Sequence, residues 1–379
     1  MDIQAFFKTS NWEAPKTDGV AASITLFNDG LDLEAFDAAI LFVPEYRWQT
    51  GDHINAPIAD AVIDELSKFH LHNTEANLLY MGEFVLGNSI ADTESGLIEV
   101  IGELIKFKVV PLLIGGSKEL TYAAYKAFEL QEQVVNVASV DPYLNIEDAD
   151  GHGYIGRIIK NQPNYLFNYA NLAYQTYLVS QNELELSEEL YFEAYRLGLL
   201  RGDIYSAEPV IRGAEILSCS MDAVRSSDFR ASSNPQPNGI FAEEACQLMR
   251  YAGLTDKNQV VLITDLNLEK LIQSISDLRL VAEMLWCFID GFYHRRPELP
   301  SKRKEGFLKY RVPLRDDEFQ MVFYKSVNTD RWWMEIPVPP QYANKYRKHH
   351  MVPCDYQDYL IATSDDLPER WWKAYKKML

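Results

Sequence analysis

Short runs of aliphatic and β-branched residues recur along the chain: Ala38 to Val43, Asn77 to Met81, Val109 to Ile114, Val134 to Val140, Ile216 to Met221 and Val260 to Asp265. Between them, Ile58 to Phe69, Gly96 to Phe107, Leu120 to Glu132, Glu243 to Tyr251 and Leu278 to Phe292 space their apolar residues as helices do. Strand and helix alternating in this way predict an α/β protein with a mostly parallel sheet and helices on both faces. In open sheets of that kind ligands bind beyond the carboxyl ends of the strands, so the residues after each apolar run are the candidates for chemistry.

After about residue 295 the pattern changes. Phe307 to Pro313, a charged turn at Arg315 to Glu318, and Phe319 to Ser326 read as an antiparallel hairpin. Four of the seven tryptophans lie beyond it, in two copies of Arg-Trp-Trp, Arg331-Trp332-Trp333 and Arg370-Trp371-Trp372. The expected organisation is therefore an α/β domain over residues 1–295 and an aromatic-rich extension over 296–379. Large aromatics mostly serve burial, so these tryptophans are expected to pack the extension onto the main domain; a partner-contact surface is the alternative.

At 379 residues and 47% hydrophobic the chain can bury a large core. No stretch of about 18 uninterrupted apolar residues is present, and Met1 to Trp12 lacks the basic-then-apolar order of a secretory signal, so a cytoplasmic protein without membrane contact is expected. The four cysteines, Cys219, Cys246, Cys287 and Cys354, have no zinc-like or disulfide-like spacing and read as buried free thiols. Net charge is −19, and unevenly spread: residues 291–379 carry 17 basic against 12 acidic side chains, leaving 19 against 43 in residues 1–290. So acidic a body argues against nucleic acid as a partner.

Three strand ends carry candidate chemistry. The first is Pro111-Leu112-Leu113-Ile114-Gly115-Gly116-Ser117-Lys118, the second Val137-Ala138-Ser139-Val140 running into Asp141-Pro142-Tyr143-Leu144-Asn145, and the third Leu217-Ser218-Cys219-Ser220-Met221-Asp222. In order and strand context they resemble the G-G-D-H, D-A-H-x-D and S-x-D-x-D motifs of the arginase, or ureohydrolase, family. A fourth stretch, Ile263-Thr264-Asp265-Leu266-Asn267, resembles the strand on which that family carries a glutamate that contacts the guanidinium substrate. Pro235 to Gly239 resembles its proline- and glycine-rich loop, with Arg225-Ser226 where the family writes D-P. The similarity spans about residues 35 to 295. The stretches Tyr165 to Tyr169, Phe192 to Gly198 and Val352-Pro353-Cys354, with the Arg-Trp-Trp pairs, look like a bacterial formimidoylglutamase-like branch.

The resemblance implies a three-layer arginase-like fold and, in ordinary members, two manganese ions that activate a bridging water against an amidine or guanidinium carbon. Of the six corresponding ligand positions, Lys118, Asp141, Tyr143, Asn145, Ser220 and Asp222, only Asp141 and Asp222 match the family's ligand. No cofactor is therefore expected; if any metal binds, Asp141 and Asp222 are its ligands. Two carboxylates brought together without a cation would repel, and one would be driven to protonate. The expectation is that Lys118 places its ammonium between them in place of the metals. Asp265 and His152, which precedes a glycine as the family's catalytic histidine does, are the weaker catalytic candidates, and His152 reads more simply as part of an acidic surface turn, Asp148 to Gly153.

The leading functional expectation is a noncatalytic member that serves as a scaffold, sensor or assembly subunit. The alternative is a C–N hydrolase of the formimidoylglutamase or agmatinase type with an altered or single manganese site that recruits Glu147, Asp148 or His152. A third reading, nucleophilic chemistry at Cys219, suffers from that residue's odd offset from Asp222 on an alternating strand, which points it away from the pocket. The resemblance also suggests a homo-oligomer, with the tryptophan-rich tail as a contact surface for it or for a protein partner.

Overall fold

A computed structural model describes all residues except 1–2, 11, 16–18, 29, 51–57, 73–75, 148–152, 301–304, 315–318, 343–345 and 347–348. Nine strands form one sheet: β1 Ile24–Leu26, β2 Ala38–Phe42, β3 Leu78–Glu83, β4 Val110–Ile114, β5 Val135–Val140, β6 Leu166–Tyr174, β7 Glu193–Arg196, β8 Ile216–Ser220 and β9 Val260–Thr264. They run in the order β1-β3-β2-β4-β9-β8-β5-β6-β7, and every neighbouring pair is parallel. The central strands β2, β4, β8 and β9 are buried at every position, which is why β2 and β4 are unbroken apolar runs and β8 and β9 admit only the small polar residues Ser218, Ser220 and Thr264.

Alternate residues feed two cores. Ile40 and Phe42 of β2 face helices Ile58–Ser67, Ala242–Leu254 and Ile275–Tyr293, while Ala39 and Leu41 face helices Ile90–Lys106 and Leu120–Glu129. The six apolar runs and five periodic stretches named above all became the expected kind of element. β1, β6 and β7 were additional.

The extension forms a separate antiparallel sheet, β10 Phe307–Leu314, β11 Phe319–Ser326, β12 Trp332–Glu335 and β13 Met351–Cys354, in sequential order. The predicted hairpin is β10 and β11; its turn at Arg315 to Glu318 lies outside the described residues. Trp332 and Trp371 pack with Val312, Phe323, Met334 and Met378 in the extension's core, against which Phe167 of β6 also packs. Trp333 lies beneath the Arg212 guanidinium, 4.4 Å from it, whereas Trp372 is 41% exposed. The cysteine expectation also needs correction: all four thiols are free, but only Cys219 and Cys354 are buried.

Two buried arginines fasten the extension. Arg212 Nη2 donates to the carbonyls of Trp332 and Cys354, at 3.1 and 3.3 Å. Arg370, on the C-terminal helix Glu369–Met378, lies 3.5 Å from Glu193 and 3.6 Å from Asp358, and donates to Tyr195 Oη at 3.1 Å. Among the described residues no helix is long and apolar enough to cross a membrane.

Candidate active site at the strand ends

β4 ends at Ile114, and the chain turns through Gly115 and Gly116 with φ of 95° and 68°, the left-handed region that favours glycine. A Cβ on Gly116 would lie 2.9 Å from the Val43 carbonyl, so a side chain there would push the turn off its neighbour. The turn is laced to β9: Gly115 N donates to Ile263 O, and Asp265 N donates to Gly116 O, both at 2.9 Å. That places Lys118 over the ends of β5, β8 and β9.

The Lys118 ammonium lies 3.2 Å from Asp141 Oδ2 and 3.3 Å from Oδ1, and 4.6 Å from the centre of the Tyr143 ring. Asp141 also accepts from Tyr143 N at 2.8 Å and from Asn145 Nδ2 at 3.0 Å. Asn145 holds its position with φ of 58°, a conformation asparagine tolerates better than most residues. Tyr143, where the resemblance puts a histidine ligand, thus supplies a π face and a backbone donor. Asn145, in place of an aspartate ligand, supplies a donor instead of a charge.

Ser220 Oγ donates to Asp265 Oδ2 at 2.6 Å. Asp265 Oδ1 accepts from Lys118 N at 3.1 Å and from Gln49 Nε2 at 2.8 Å, and the residue is wholly buried. Asp265 is therefore a third acidic member of the cluster, engaged by protein donors on both oxygens. Asp222 forms no ion pair among the described residues; its Oδ1 accepts from Asn234 N at 2.8 Å, and Asn234 Nδ2 donates to Tyr143 Oη at 2.8 Å. The expected bridge across both aspartates is thus corrected: the ammonium pairs directly with Asp141, and acts on Asp222 only through space.

The electrostatics follow from one cation among three carboxylates. Burial works against the Lys118 charge, but Asp141, Asp265 and Asp222 together raise its pKa above the ordinary lysine value. Burial raises Asp141, and the Lys118 ammonium offsets only part of the rise. Burial and then Asp265 push Asp222 up to about 8, a rise that the Lys118 ammonium offsets only in part. Cys219 lies in the apolar core, and burial raises its thiol to about 12, which leaves it a poor nucleophile. His152 and Asp148 lie outside the described residues.

No family model matches the sequence, and neither does any curated protein. Solved structures do match. A formiminoglutamase from Trypanosoma cruzi, in a crystal structure with Mn2+, superposes with a TM-score of 0.62 at 18% identity over 71% of this chain and 97% of that one. Formimidoylglutamase from Bacillus subtilis gives 0.63 at 16% identity over 76% and 95%. Agmatine ureohydrolase of Thermoplasma volcanium gives 0.56 at 13% identity over 74% and 95%. The chain has the arginase fold.

Within that arginase fold, the side chains at the strand ends do not fit a two-manganese centre. Among the described residues no three His, Cys, Asp or Glu side chains form a group that could hold a metal ion. Both oxygens of Asp141 and of Asp265 are already taken by protein donors, and divalent ions of this type need imidazole or free carboxylate oxygens. The motif comparison did not find Gln49, Ser233 and Asn234. Ser233 Oγ donates to Gln49 Oε1 at 3.0 Å, so the two form one chain of bonds that leads to Asp265. Gln49 lies shortly past the end of β2, where a search of every strand end would have reached it.

Proposed function

We propose that this arginase-fold protein does not carry out two-metal C–N hydrolysis and serves as a noncatalytic member of its fold, a scaffold, sensor or assembly subunit. The observation that carries the reading is the Lys118 ammonium 3.2 Å from Asp141, where the motif resemblance puts a metal-binding histidine. An ammonium cannot ligate, and it supplies to Asp141 the positive charge that a cation would otherwise provide. Neighbouring hydrogen bonds from Asn145 and Tyr143 N to Asp141, and from Ser220 and Gln49 to Asp265, tie these two carboxylates into a buried polar network.

The test is to incubate the purified full chain with manganese, desalt it, and measure bound metal together with turnover of formiminoglutamate, agmatine and arginine. The expected outcome is manganese far below one ion per chain and no turnover above buffer. Stoichiometric manganese that disappears in Asp141→Asn, with turnover of any of the three, would establish the hydrolase reading instead.

A further inference from the structure

At the opposite end of β8 from Lys118, the body and the extension enclose an open cleft of about 1030 Å³. We propose that this cleft binds a small organic anion built on a planar aromatic ring, of about the size of a nucleoside monophosphate. The proposal is independent of the fate of the strand-end site.

One wall is aromatic. Trp332 stacks on Tyr310 with ring centres 5.2 Å apart, Tyr359 lies 5.0 Å from Trp332, and Tyr356 stacks on Tyr359 at 5.8 Å. Tyr356 is 51% exposed, and Tyr205, on the body side, is 73% exposed. The Tyr356 ring, held by Tyr359 and Trp332, is a ready surface for a flat ligand.

The floor carries surplus positive charge. Arg212 Nε and Arg331 Nε both approach the single carboxylate of Glu208, at 2.9 and 3.1 Å. Arg212 is 5% exposed, yet among the described residues its Nη1 has no hydrogen-bond partner. Burial, set against Glu208 and then reinforced by the Arg331 charge, holds Arg212 below the ordinary guanidinium range. Arg296 at the rim forms no ion pair among the described residues and is exposed. Two guanidiniums thus share one carboxylate, and an anion seated beside the pair would balance the second charge.

The remaining polar capacity decides the sign of the ligand. Every acidic side chain in the lining is already engaged: Glu208 by the two arginines, Asp330 by Lys325 at 2.7 Å, and Asp355 by the Asp358 amide at 3.0 Å. The lining as a whole has four basic side chains, Arg212, Arg296, Lys325 and Arg331, against these three acids, an excess that suits phosphate or carboxylate held by guanidinium forks. The net charge of −19 opposes a polyanion, so the ligand is a monomer rather than a nucleic acid strand.

Isothermal titration of the full chain with adenosine monophosphate, nicotinate, adenosine and inorganic phosphate tests this. At least one of the two ring-bearing anions should bind at a single site about tenfold more tightly than adenosine or phosphate, because only they use both the rings and the arginines. The monophosphate against nicotinate identifies which anionic group the floor prefers. Arg296→Ala and Tyr356→Ala, both at exposed positions, should each weaken that binding about fivefold while the melting temperature stays that of the parent. The proposal is overturned if neither ring-bearing anion outbinds adenosine and phosphate, or if both variants bind as the parent does.

Discussion

Lys118 is the side chain on which the strand-end cluster depends. Its ammonium faces three buried carboxylates, so replacing it removes charge compensation without removing the charges. Lys118→Met is expected to lower stability by about 3 kcal/mol at neutral pH, in line with the cost of stranding a buried ionic partner. Lys118→Met combined with Asp141→Asn should recover a good part of that loss in urea denaturation, because the stranded charge is gone. A single variant that melts with the parent would sink the idea. Asp222 makes a second, separable prediction. With a folded pKa of about 8 against 3.8 for the free side chain, folded protein holds a proton that the unfolded chain has released between those values. Stability therefore falls as pH rises from about 4 towards 8, by at most about 1.4 kcal/mol per pH unit, and levels off above. Asp222→Asn should flatten that slope and be the more stable protein at pH 8; an unchanged slope between pH 5 and 8 would show that Asp222 is not the proton carrier. The Lys118–Asp141 contact was legible in the sequence because the resemblance to the arginase family puts both residues at ligand positions of one cavity, where a lysine and an aspartate must meet. Asp265 was a candidate on the same ground, but its bonds to Ser220 and Gln49 were not legible, because its φ of 60° turns the residue out of strand geometry.

Among the elements, the strands that the apolar pattern missed are the two edge strands, β1 and β7, and β6 beside β7, and polar residues explain the miss of β6 and β7. β6 breaks its apolar run at Asn168 and Asn171, yet Asn168 Nδ2 donates to Glu193 at 2.8 Å and Asn171 Nδ2 to Tyr143 O at 2.8 Å, so both amides find acceptors inside the fold. β7 is short and half-buried, and its first residue, Glu193, is the acceptor that receives Arg370 of the C-terminal helix. The tertiary partner that makes Glu193 tolerable lies 177 residues along the chain, beyond any local pattern. The two Arg-Trp-Trp copies make the same point: one lies in a strand, with both rings buried, and the other in a helix, with one ring outward. Arg370 is accordingly expected to behave as a staple between elements. Burial raises Glu193, but Arg370 and Lys377 more than offset it, so its pKa lies below the usual glutamate range. Its contribution is thus present above the unfolded value and lost as pH falls through the folded one. Arg370→Met should cost about 3 kcal/mol at pH 7 and less at pH 5, where the stranded Glu193 and Asp358 can protonate. Equal losses at the two pH values would mean that Arg370 acts by packing alone.

For the whole molecule, the uneven charge acquires a physical meaning at the seam between the sheets. The extension is the basic part of the chain and the body the acidic part, and Arg331 with Glu208 and Arg370 with Glu193 join them through pairs that are mostly buried. Buried pairs are screened less by salt than surface pairs, so moderate salt should not detach the extension. Arg212 reinforces the seam from the other side, since its guanidinium is buried only because β12 and β13 lie over it and accept its hydrogen bonds. The body alone would present Arg212 without those two carbonyls and Glu193 without Arg370. The extension alone would lose the arginine that lies over Trp333. Neither part is complete by itself, which argues for one cooperative unit despite two separate sheets. Calorimetry of the full chain should show a single transition, and a chain ending at residue 295 should aggregate or melt well below the parent. A soluble, monomeric 1–295 chain with the parent's melting temperature would show instead that the extension is an independent appendage, and that the buried arginines are accommodated without it.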